Sequence, residues 1–106
     1  MNYIDKEDKP VKVGDILFYN ECLPYAESLH VVEDIDGVLF GRTVIGNIDG
    51  IYYKYSDDKP IELVYYCSSL SENKNMLNDA LVVGNITDNP EYLTVEWATK
   101  NYPLNK

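Results

Sequence analysis

The sequence predicts a mainly β protein: a small antiparallel barrel or strongly bent sheet of SH3-like type, with one short helix near the C-terminus. Three observations predict it. Short runs rich in Val, Ile, Tyr and Phe recur along the chain. Asp-Gly pairs separate them at Asp36-Gly37 and Asp49-Gly50, and such pairs favour two-residue hairpin turns because both residues tolerate positive φ. Near the end, Asn89-Pro90-Glu91 has the pattern of a helix start.

Taken in order, Asp8-Lys9-Pro10 leads into Val11-Lys12-Val13, and Gly14-Asp15 is a turn signal. Ile16–Tyr19 reads as a short buried strand. Residues 20–27, with Pro24, read as a loop. Leu29–Ile35 and Val38–Ile45 form a hairpin across Asp36-Gly37. Ile51–Tyr55 is a further strand, broken by Ser56–Pro60 and resumed over Ile61–Cys67. Residues 68–78, rich in Ser and Asn, read as a loop with a helical turn. Ala80–Ile86 is the last strand, and the architecture totals about five to seven strands. Leu93 and Trp97, four apart, would share one face of a short helix. The alternation of Leu93, Val95 and Trp97 also fits a strand, and the helix is preferred; Pro103 ends it.

Residues 1–106 make one domain, with a core large enough to need no staples. The net charge is -9, from 18 acidic and 9 basic residues. That sign disfavours direct nucleic-acid binding and anionic membrane surfaces. No apolar run has transmembrane length, and the N-terminus has no charged region followed by an apolar one, so no signal peptide is read there. Cys22 and Cys67 are expected to be reduced and structural. The chain is therefore expected in the cytoplasm.

Two pairs of segments echo each other: Asp8–Val11 with Asp58–Ile61, and Val44–Ile48 with Val82–Ile86. Their spacings differ, so they are read as one turn solution used twice and not as a structural repeat.

Catalytic chemistry is hard to find. His30 is the sole histidine and lies within an apolar strand, where a structural or surface role is expected rather than a catalytic one. No nucleophile elbow, phosphate-cradling glycine loop or zinc-ligand spacing occurs. Glu33-Asp34 with Asp36-Gly37 is a charged hairpin tip and stops short of a calcium loop. No catalytic residue, metal or cofactor is assigned.

The residues singled out for partner contact are Gly84, Asn85, Asn89 and Pro90, with Tyr52, Tyr53 and Tyr55. The first four are explained by turn chemistry: Gly for positive φ, Asn85 for bonds to nearby main chain, Asn89-Pro90 for starting a helix. The tyrosines belong to a surplus of 10 Tyr against 2 Phe and 1 Trp. Tyr suits half-buried sheet faces and also contact surfaces.

Two segments resemble the YopX family of phage and prophage proteins. The first, Asp5–Ile16, is similar to that family's pattern of Asp-Lys, a turn, Lys, an apolar residue, then Gly-Asp and an aliphatic residue. The second, Val83–Leu93, looks like its closing signature of an aliphatic residue, Gly-Asn-Ile, an acidic residue and Asn-Pro-Glu. Asp8 stands where the family usually has Gly, and Thr87 where it often has Tyr. The resemblance implies a mostly β fold, an origin in a mobile element and no enzymatic activity.

The expected role is thus a non-catalytic module that binds a host or phage protein. An acidic nucleic-acid mimic that inhibits a host defence nuclease is the alternative, and an enzyme of unfamiliar type ranks last. Open strand edges or exposed Tyr could also support self-association.

Overall fold

The two Asp-Gly turns organise the sheet. In the computed structural model, which describes residues 3–22, 25–55, 60–67 and 72–101, Asp36 and Gly37 have φ of 53° and 85°, and Asp49 and Gly50 have 54° and 88°. These are the left-handed conformations that a two-residue hairpin requires. The first turn joins β2 (Tyr25–Ile35) to β3 (Val38–Ile48), the second joins β3 to β4 (Ile51–Lys54). The remaining strands are β1 (Asp15–Cys22), β5 (Ile61–Glu62), β6 (Val64–Cys67), β7 (Glu72–Asn75) and β8 (Ala80–Asn85).

The main sheet is antiparallel, in the order β4-β3-β2-β1-β8, with β5 also paired to β3. β6 and β7 form a separate hairpin. The sheet is bent, and among the described residues no ladder joins β8 back to β4 or β5. Two bulges contribute to the bend. Between Leu29 and His30 the partner residue jumps from Ile45 to Thr43, leaving Val44 extra on β3. Between Ile16 and Leu17 it jumps from Gly84 to Val82, leaving Val83 extra on β8. An extra residue on one strand kinks it and increases the local twist.

Strand β1, between β2 and β8, is buried on both faces over Ile16–Tyr19, which is why that stretch reads as a continuous apolar run. Leu17 and Tyr19 enter one cluster with Val11, Val32, Leu39 and Ala80, closed over by Leu63 and Leu77. Ile16 and Phe18 face the other way, against Leu29, Ile45 and Ala98. Ala98 belongs to α1 (Val95–Asn101), the single α-helix among the described residues, which lies on this second face. Each fully buried aliphatic side chain contributes about 1.5–3 kcal/mol relative to exposure.

Several expectations are corrected. Most of residues 20–27, expected as a loop, are strand: β1 continues to Cys22 and β2 begins at Tyr25, because register pairing carries on past the apolar run. Ile61–Cys67, expected as one strand, divides at Leu63 between two sheets. Leu63 is buried in the first core cluster, and its backbone N–H donates to Leu39 O while its carbonyl accepts from Met76 N. Residues 72–75 of the expected loop are strand β7, and the helical turn expected there is the 3-10 turn Met76–Asp79. The main sheet has six strands, within the five to seven expected, and the short β6 and β7 make a separate two-stranded sheet. The 90–101 segment is helical, in two pieces: a 3-10 turn at Pro90–Leu93 and then α1. Thr94 immediately precedes α1, and its Oγ1 accepts from Trp97 N at 3.2 Å as an N-cap.

The second echo does not share one turn solution. Asn47 Oδ1 accepts from Gly50 N, three residues on, in a hairpin turn whose Asp49 and Gly50 have positive φ. Asn85 Oδ1 instead accepts from Thr87 N, two residues on, with no positive φ at positions 84–88. The expectations for Ser56–Lys59, which include half of the first echo, and for Pro103 and the first two residues fall outside the described residues. So do the side chains of Cys22 and Cys67.

Candidate functional site

The two segments that carry the family resemblance meet in space. Asp15 pairs with Asn85 across β1 and β8, and Asn85 Nδ2 donates to Asp15 Oδ1 at 3.2 Å. Ile86 N donates to Gly14 O at 2.9 Å. Gly14 has φ +88°, a conformation that favours glycine. Asp5 reinforces the junction from further upstream. Its Oδ1 accepts from Glu7 N and Lys9 N, and its Oδ2 accepts from Val82 N. Burial acts to raise the Asp5 pKa. The N–H donors of Val82, Lys9 and Glu7, together with the Lys9 ammonium, outweigh burial and hold the carboxyl below its usual value.

Gly84, Asn85, Asn89 and Pro90 are thus brought together, and their polar groups bond within the chain. Asn89 Oδ1 accepts from Asn85 N at 3.2 Å and makes no side-chain cap to its own 3-10 turn. Gly84 is not at positive φ, contrary to expectation. Its role is close approach: a Cβ there would lie 2.8 Å from Asn89 Oδ1 and 2.9 Å from the Tyr92 ring. Tyr92 in turn stacks on Trp97 at 4.0 Å between centroids. A polar groove of about 320 Å³ opens beside this corner, lined by Lys9, Lys12, Asp15, Asn85, Asp88 and Asn89 among others.

Tyr52 and Tyr53, on β4, and Tyr55 just after it lie at the opposite edge of the sheet from Gly84, so the seven selected residues do not form one site. Tyr52 is half-buried and packs against the helix-side core. Its hydroxyl donates to Glu27 Oε1 at 3.0 Å, and Asn47 Nδ2 donates to the same oxygen at 2.8 Å. Burial, with the nearby Glu27 carboxylate adding to it, pushes the Tyr52 phenol up to about 12. Tyr53 is exposed.

His30 lies between two hydroxyls. Its Nε2 is 2.8 Å from Ser28 Oγ and its Nδ1 is 3.0 Å from Thr43 Oγ1, with the Tyr19 ring edge-on at 4.9 Å. The Ser28–His30 spacing would suit a nucleophile and its base. Ser28 is 1% exposed, however, and burial lowers the His30 pKa to about 4. The pair is sealed inside the first core cluster's face, and the imidazole is a weak base. Among the described residues no group of three His, Cys, Asp or Glu side chains could hold a metal ion.

A feature that sequence reading missed lies on the helix side of the sheet. Val31 pairs with Ile16 and so shares its face. Around Val31 and the bulged Val44 opens an apolar groove of about 480 Å³, with Val13 and Ile86 as its wall and Glu33, Asp34 and Arg42 at its rim. Val13 is 55% exposed and Ile86 41%. The Gly14–Ile86 backbone bond sets these two aliphatic side chains beside each other. Arg42 donates to both carboxylate oxygens of Glu33. The local signal was an aliphatic residue next to each turn, Val13 before Gly14 and Ile86 after Asn85. Their proximity depends on pairing between the two ends of the chain.

Comparison of the chain with protein-family models, with curated proteins and with solved structures finds no match in any of the three. No helix among the described residues is long and apolar enough to cross a membrane.

Proposed function

We propose that the chain is a non-catalytic protein-binding module, a YopX-like accessory protein of phage or prophage origin, acting in the cytoplasm of a bacterial host. One observation carries the binding reading: the helix-side groove leaves Val13 and Ile86 exposed over an apolar floor. Its volume falls in the range of about 300–1,000 Å³ typical of sites that take a ligand or anchoring side chains. Exposed apolar surface gathered in one concavity is the usual mark of a contact site, unlike single scattered residues. The sealed Ser28–His30 pair supports the non-catalytic half of the reading.

Nucleic-acid mimicry draws on the net charge of -9. It draws less on the placement of the acids. Asp5, Asp15 and Glu27 are buried, and Glu33 pairs with Arg42, so none of these four adds to a phosphate-like row.

The test is affinity capture from bacterial lysate with wild-type protein and with the Val13→Asp/Ile86→Asp double variant. Both positions are exposed, so the variant should keep the wild-type circular dichroism spectrum. A specific polypeptide retained by wild type and lost by the variant is expected. Equal retention by both proteins would remove the groove from the account.

A further inference from the structure

We infer that the partner docks a short amphipathic segment, in which aliphatic or aromatic side chains alternate with lysine or arginine. This rests on the groove reading above and names the chemistry that the groove would select. The floor and wall, Val31, Val44, Val13 and Ile86, call for apolar anchors. The rim calls for positive charge. Glu33 and Asp34 line it, and the Glu33 charge is offset by its ion pair with Arg42, which leaves the Asp34 carboxylate as the rim's net negative charge. Asp36 is exposed at the tip of the same β2–β3 hairpin. Lys12 adjoins Val13 in sequence but lines the neighbouring polar groove rather than this one. The whole chain adds a net charge of -9, which attracts a cationic segment over distance and repels an acidic one. A second copy of the chain carries the same excess and is disfavoured by the same term.

Three short peptides test this: leucine alternating with lysine, leucine alternating with glutamate, and serine alternating with lysine. Binding is followed by backbone amide shifts in NMR titration. The leucine–lysine peptide is expected to saturate, to shift Val31, Val44 and Ile86, and to weaken as salt rises. The other two peptides are expected to bind about tenfold more weakly or worse. Ile86→Asp should cost the leucine–lysine peptide about tenfold. Asp34→Asn/Asp36→Asn should cost it about threefold and leave the fold intact. The amide oxygen introduced by Asp34→Asn still accepts from Gly37 N, and asparagine tolerates the positive φ of position 36.

Equal binding of the leucine–glutamate peptide would overturn the inferred charge, and equal binding of the serine–lysine peptide would overturn the apolar anchor. Absence of groove shifts with any peptide would overturn the inference as a whole. Dimerisation of the protein alone that Ile86→Asp abolishes would also overturn it, by assigning the groove to a second copy. The groove reading fails separately, if lysate capture survives the Val13→Asp/Ile86→Asp change. If capture is lost in that variant and both leucine peptides compete for it equally, only the partner class is wrong.

Discussion

His30 is buried between Ser28 and Thr43 with its pKa lowered to about 4 from an ordinary 6.5 by the loss of water around it. Between those two values the unfolded chain takes up a proton that the folded chain refuses. Stability therefore falls as pH drops from 6.5 to about 4 and levels off below. A shift of this size corresponds to about 3 kcal/mol over the window. His30→Gln should abolish that slope while lowering stability at neutral pH. Urea denaturation of both proteins across the window checks this, and parallel pH profiles would contradict it. The sequence placed His30 on a strand in a structural or surface role, and the structure buries it. Ser28, two residues earlier, shares its face by the period of two. Thr43 could not be read in advance, because its place opposite His30 depends on the bulge at Val44.

Between elements, the critical contact is the 3-10 turn Pro90–Leu93 against β8. Tyr92 crosses Gly84 so closely that any Cβ would collide with it, while Gly84 itself has an unstrained backbone. Gly84→Ala should therefore cost about 1–3 kcal/mol by forcing side chains aside. It should also alter Trp97 fluorescence through the displaced Tyr92 stack. Unchanged stability and emission would show that the turn has room to move. The Asp-Gly hairpins were legible because their φ requirement is local. The Asn-Pro signal was legible as a helical start, but it specified a 3-10 turn, and the α-helix waited for the Thr94 cap. The strand within 20–27 and the break at Leu63 were not legible. Both are imposed by partners distant in sequence: β2 pairing with β1, and the core that takes Leu63.

At the scale of the molecule, the sheet has a core on each face, and α1 covers only part of the second. Composition indicated a β fold and an excess of Tyr. Part of that excess goes to packing, since Tyr19 is a core residue and Tyr52 and Tyr92 pack against the helix-side cluster. The selected Gly84, Asn85, Asn89 and Pro90 form a corner that joins the chain's two ends. The surface this corner creates belongs to its neighbours Val13 and Ile86, which sequence reading passed over because each looked like a residue beside a turn. Binding on that surface is the claim everything else serves. Hydrogen–deuterium exchange on the complex with the captured partner tests it most directly. New protection is expected at residues 12–14, 31–34, 42–44 and 86–88, with β4 unchanged. Protection confined to Ile51–Lys54 and Tyr55, with the groove still exchanging freely, would contradict it.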